Sequence, residues 1–133
     1  MLYSFDNRKP EIGEGSYVSE TASLIGDVRV GDNCYIGHGA ILRGDYGAIE
    51  IGNGSAIEEG VIIHVFPEET CRIGEKVTLG HGAIVHAKSI GDGAVIGMGA
   101  IVSMNTEIGE GSIVAEGAIV KMNQKIQSGV VVA

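Results

Sequence analysis

Residues 90–120 read IGDGAVIGMGAIVSMNTEIGEGSIVAEGAIV, and this stretch decides the fold. Ile90, Ile96, Val102, Ile108, Val114 and Val120 recur at every sixth position. Ala94, Ala100, Ser112 and Ala118 follow their anchors by four, and glycine punctuates the units. A period of six cannot hold residues on one face of a helix with 3.6 residues per turn. A β-branched anchor, a small inward residue and a glycine turn instead describe short parallel strands wound into a solenoid. Working backwards, one residue is dropped before Ile90, giving Val85, Leu79 and Ile73; four are added before Ile73, giving Ile63, Ile57 and Ile51. Three are added before Ile51, giving Leu42, Ile36, Val30, Leu24, Val18 and Ile12, and Ile126 continues the series forwards. All nineteen anchors are Ile, Leu or Val, although only 36 of the 133 residues are of those types, so the repeat is not chance. The expected fold is all-β, a single domain over 1–133 with an N-terminal segment (1–11) and about six coils from residue 12 onwards.

The bulk composition narrows the partners. A formal charge of −8 argues against nucleic acid or an anionic membrane surface. No apolar run approaches the roughly 18 residues of a membrane-spanning helix. The start, MLYSFDNRKPEIG, lacks a basic-then-apolar signal pattern, so the expected location is cytoplasmic. Cys34 and Cys71 are expected to be free thiols.

The pattern [Ile/Leu/Val]-Gly-x-x-small-x resembles the hexapeptide-repeat, left-handed parallel β-helix family over residues 12 to about 130. The resemblance implies three hexads per triangular coil and a left-handed winding, opposite to the general crossover rule. Three hexads per coil put Leu24, Leu42, Ile63, Val85 and Val102 in one column. The residues that follow them, Ile25, Arg43, His64, His86 and Ser103, stack as well. Neighbouring strands of a sheet lie about 4.8 Å apart. His64 and His86 therefore sit on adjacent coils, pointing the same way, and two imidazoles so placed can share a metal at about 2.0–2.1 Å. Coincidental stacking is the alternative.

The stretch LGHGAIVHA (79–87) adds His81, five positions before His86. His81 belongs to the preceding face, and five extended residues reach up to roughly 16 Å around a solid corner. Completing a three-histidine site then requires His81 from another subunit. A head-to-tail contact of unlike faces closes into a ring, for a triangular prism a homotrimer with interfacial metal sites. His38, in IGHGA, is read as a solvent-facing turn residue.

LRGDYG (42–47), IEEGVIIH (57–64) and LGHGAIVH (79–86) together resemble the gamma-class carbonic anhydrase-like family. The resemblance implies His64 and His86 as metal ligands from one subunit and His81 from its neighbour. It implies Arg43 and Asp45 as an interfacial ion pair. The implied activity is hydration of CO2 to bicarbonate by water activated on Zn2+, with iron or cobalt also suited to imidazole. Three departures stand out. Glu58 occupies the position where the family has a water-orienting Gln, and it is the candidate catalytic acceptor. Tyr46 follows Asp45 where the best-characterised enzymes have Glu. The loop VFPEETCR (65–72) is short, leaving Glu68 and Glu69 as proton-relay candidates or solvated charges. Relatives commonly continue into a C-terminal helix, whereas this sequence ends at SGVVVA (128–133), so no helix is expected in it. Alternative functions are a CoA-thioester hydrolase or acyltransferase-type relative, and a metal-stabilised trimeric binding protein without turnover.

Overall fold

The computed structural model describes all 133 residues, as strands and turns without a helix. Most strands are two residues long, an outward residue followed by an inward anchor, as in Ile84–Val85 and Thr78–Leu79. So short a strand cannot satisfy its backbone alone, and its hydrogen bonds run to the next coil. Ile62 N–H donates to Ala83 C=O at 3.0 Å, and Ile84 N–H to Ala100 C=O at 3.0 Å.

Every pairing between strands of the coils is parallel, and the register is the one the hexads predict. Leu24 pairs with Leu42, Leu42 with Ile63, Ile63 with Val85, and Val85 with Val102. The sheet holding the Val18, Ile36, Ile57 and Leu79 anchors has seven strands, ending at Val131–Val132. The solenoid therefore has about seven coils; Val132 is an anchor that the count of six leaves out.

The core is one column-filling cluster. Every anchor from Leu24 to Val120 is buried, together with the small residues Cys34, Ala40, Ala83, Ala94 and Ala100. Ile12, Val18, Ile126 and Val132, with a neighbouring coil on one side only, are partly buried. The two insertions have distinct structures. Ser23–Val30 and Ile41–Ile51 are long strands that bend around one corner and join two faces into a single twelve-stranded sheet. The four extra residues after Ile63 form a loop at 66–69, which packs on the first insertion through backbone: Glu68 N–H donates to Tyr46 C=O at 2.8 Å. A Cβ at Gly47 would lie 2.6 Å from the carbonyl oxygens of Phe66 and Glu69, so only glycine allows this contact.

The outward residues give the three faces different characters. One carries Glu11, Arg29, Glu50, Arg72, Ser89, Glu107 and Lys125 in register, a charged ladder. The second begins with Tyr17 and Tyr35 and becomes apolar at Val95, Ile113 and Val131. The third presents Ile41, Ile62, Ile84, Ile101 and Ile119. We call them the charged, tyrosine and isoleucine faces. No helix is long and apolar enough to cross a membrane.

Candidate metal centre

The column arithmetic for the histidines holds. Arg43 pairs with His64, and the Ile63–Val85 pair carries His64 and His86 onto neighbouring coils of the isoleucine face. Their rings lie 5.4 Å apart between centroids, crossed at 87°. The His64 Nε2 is buried and has no hydrogen-bond partner. A buried, unpaired polar atom ordinarily costs about 1–3 kcal/mol, so a nitrogen left this way invites a ligand.

Asp45 sits beneath the pair on Ile41–Ile51 and is buried. Its Oδ2 accepts from Arg43 Nε at 3.2 Å and Nη2 at 2.9 Å, and its Oδ1 accepts from the Tyr46 amide at 3.0 Å. Burial pushes this carboxyl up, but the Arg43 guanidinium and the Tyr46 amide outweigh it and hold it below the usual carboxylate range. Asp45 Oδ1 lies 3.7 Å from His64 Nε2, too far for a hydrogen bond. Arg8 of the N-terminal segment donates to the Asp45 carbonyl. Burial lowers the pKa of His86, with the positive fields of protonated His64 and of Arg43 adding to it. His86 is thus biased towards neutral imidazole, the form that binds metal.

His81 is on the other side of the corner, at the end of the tyrosine face. Gly82 after it takes φ +69°, and a Cβ on Gly80 before it would approach the Met98 amide nitrogen at 2.9 Å. Its Nδ1 lies 3.2 Å from Glu58 Oε2 and 3.1 Å from Glu59 Oε1. Glu58, the candidate catalytic acceptor, thus accompanies His81 rather than the His64–His86 pair. Within one chain no three His, Cys, Asp or Glu side chains converge as a metal site. The chain presents two partial sites, His64–His86 with Arg43 and Asp45 on one face, and His81 with Glu58 on the next.

Two participants escape the sequence reading. Glu59 contacts His81, and the Tyr35 hydroxyl donates to Glu59 Oε2 at 2.5 Å. That hydrogen bond is the main reason the Glu59 carboxyl is held low and the Tyr35 phenol is raised. Tyr17 stacks on Tyr35 at 5.6 Å with 11° between planes, which fixes the phenol. Hexad arithmetic carried to the second position after each anchor would have found Glu59, because Ile57 pairs with Leu79 and their +2 residues are Glu59 and His81.

The remaining candidates are elsewhere. His38 is exposed and is held through Nδ1 by Ser19 Oγ at 2.8 Å. Glu68 and Glu69 are exposed on their loop. Cys34 and Cys71 are free and buried.

Three imidazoles and an orphaned ring nitrogen are a donor set that suits zinc, iron or cobalt. The chemistry of the residues present fits such a group, which would draw on His64 and His86 from one face and on His81 from the next.

The fold and the repeat place the chain in the hexapeptide-repeat family. Residues 9–44 match the bacterial transferase hexapeptide (six repeats) family, and residues 27–64, 71–104 and 89–122 match the hexapeptide repeat of succinyl-transferase. The chain belongs to this family, and its solenoid is the family's left-handed parallel β-helix. It is 41% identical over 100 residues to the carnitine operon protein CaiE of Escherichia coli O157:H7, a match covering 75% of this chain. The matched stretch is 51% of that relative, so the chain spans about half the length of the curated relatives it matches. Among solved structures it is similar to a hexapeptide transferase family protein from Anaplasma phagocytophilum, with a TM-score of 0.92 and 32% identity over 98% of this chain and 76% of that one. It is also similar to a putative acetyltransferase from Bacillus cereus, with a TM-score of 0.94 and 30% identity over the same shares, 98% and 76%.

Proposed function

We propose that the protein is a metal-dependent, carbonic anhydrase-like hydratase that converts CO2 to bicarbonate at sites shared between the subunits of a homotrimer. The observation that carries this reading is the stacked His64–His86 pair with its buried, partnerless Nε2. The outward residues support the assembly. The tyrosine and isoleucine faces flank the corner between His81 and His86 and expose apolar side chains, among them Ile101, Ile113 and Ile119. Packing the isoleucine face of one subunit on the tyrosine face of the next buries both, leaves the charged ladder in water, and brings His81 towards the neighbour's pair. A divalent metal held by three neutral imidazoles supplies, when bound, a water acidic enough to act as a nucleophile near neutral pH.

The protein's own residues have separate tasks. Glu58 arrives with His81 and accepts a proton from the reacting water while the water oxygen bonds to the CO2 carbon. A carboxylate there accepts but does not donate, unlike an amide. Arg43, fixed by Asp45, places a positive charge one coil below His64, where it favours the bicarbonate anion. Burial lowers the pKa of His86, which favours the neutral form that a ligand requires.

A second reading has support in the comparisons. Both similar solved structures are described as transferases, which favours an acyltransferase or thioesterase acting on a CoA thioester. Stopped-flow CO2 hydration on zinc-, iron- and cobalt-loaded protein, beside an acyl-CoA panel, separates the two. Hydration that disappears in His64→Ala supports the first; thioester turnover without hydration replaces it with the second.

A further inference from the structure

Two carboxylates compete for one N–H. Glu58 Oε2 and Glu59 Oε1 lie 3.2 and 3.1 Å from His81 Nδ1, at ion-pair distance, with neither contact aligned as a hydrogen bond in the single chain. A ring nitrogen carries a single proton, so only one of the two carboxylates can take it in a linear hydrogen bond, which frees the other for other work. The surroundings decide which. Glu59 is held at its far oxygen by the Tyr35 hydroxyl, and Tyr35 is clamped by the stacked ring of Tyr17. Glu58 accepts no hydrogen bond from any side chain but makes only the contact with His81. A pre-oriented acceptor gives up less side-chain freedom when it binds the imidazole.

We propose that Glu59, anchored by Tyr35, is the positioning residue for His81: its carboxylate takes the Nδ1–H, which leaves Nε2 as the lone-pair nitrogen offered to the neighbouring subunit's metal and leaves Glu58 free to meet the reacting water. This rests on the interfacial site proposed above and deepens it. The arrangement runs across four coils, Tyr17 to Tyr35 to Glu59 to His81, all on the tyrosine face. It has the logic of a carboxylate–histidine–metal triad, in which the outer carboxylate fixes the tautomer and raises ligand basicity. It also gives the Glu58–Glu59 pair a division of labour that two equivalent carboxylates would lack.

The test reads the tautomer and the affinity, neither of which needs turnover. Long-range 1H–15N correlation on metal-free protein assigns the His81 proton, and chelator competition measures zinc affinity. Wild type is expected to show His81 protonated at Nδ1. Glu59→Ala is expected to lose that preference and to bind zinc about 10–100-fold more weakly while keeping the wild-type oligomeric mass. Tyr35→Phe should weaken zinc binding by less, and Glu58→Ala should leave both readouts near wild type. If Glu59→Ala keeps the Nδ1–H tautomer and the affinity while His81→Ala loses zinc, the interfacial site stands and the Glu59 assignment is overturned. If Glu58→Ala produces the losses instead, the two roles are exchanged and the proposal is wrong. If His81→Ala itself binds zinc as wild type does, the interfacial site fails, and the positioning role with it.

Discussion

Replacing Asp45 by Asn tests the polar floor under the histidine pair. The carboxylate accepts two hydrogen bonds from Arg43, at 3.2 and 2.9 Å, and one from the Tyr46 amide at 3.0 Å. Asn keeps an acceptor for the amide but turns an NH2 group towards a guanidinium, so the charge-assisted half is lost. A hydrogen bond to a charged group contributes about 1.5–3 kcal/mol. Arg43 is 42% exposed at its side chain and is rehydrated when released, which places the loss near the lower end, about 2 kcal/mol. For a domain of this size that is a fall in Tm of roughly 6–10 °C. Urea unfolding of metal-free protein at pH 7, with Tm alongside, measures it. The pH dependence supplies the sign. Asp45 is held below its ordinary range in the folded state, so its contribution is complete above the unfolded value of about 3.9 and fades as pH falls below it. The gap between wild type and Asp45→Asn should therefore narrow between pH 4 and pH 2.5. Equal stability at pH 7, or an undiminished gap at pH 2.5, would refute the ion-pair account.

Other consequences follow from the same structure. His86 has a lowered pKa, so metal-free protein should lose stability as pH drops below the unfolded value of about 6.5, and His86→Gln should flatten that slope in urea titrations from pH 7.5 to 5.5. Ile63→Ala removes a fully buried anchor under His64 and should cost about 2–5 kcal/mol, with a zinc affinity that falls in parallel when read by chelator competition. Burial pushes the Cys71 thiol up to about 12, so it should resist iodoacetamide at pH 8 until urea unfolds the protein, as intact-mass analysis would show. Gly80→Ala drives a Cβ to 2.9 Å from the Met98 amide nitrogen, whereas Gly82→Ala meets no atom and strains only φ; the first should lower Tm further and disturb zinc binding more.

Most of the fold was legible because a solenoid is nearly one-dimensional: an anchor at every sixth residue fixes the coil, and the coil fixes which residues stack. That arithmetic placed Arg43, His64 and His86 in one column and His81 around the corner. It undercounted the coils at Val132, whose neighbours Val130 and Val131 hide the period. The insertions were visible as phase shifts, but not their outcome. Nothing in LRGDYG says that Ile41–Ile51 bends as one strand, or that the loop at 66–69 docks on Tyr46, because both depend on backbone contacts between insertions in different coils. The Glu59–Tyr35 contact was missed for another reason. It joins the second position after one anchor to the position before another, two columns that hydrophobic periodicity does not read, and its partners are decided by side-chain rotamers.

The central claim is that a working site borrows His81 across a subunit boundary, and subunit mixing tests it most directly. His81→Ala chains and His64→Ala,His86→Ala chains, each alone, should hold little zinc. Unfolded together in equal amounts and refolded, they should recover zinc at about one site in four, since only interfaces pairing an intact His81 with an intact His64–His86 are complete. Zinc at the level of the separate variants after mixing, or full occupancy in either variant alone, would contradict the shared site.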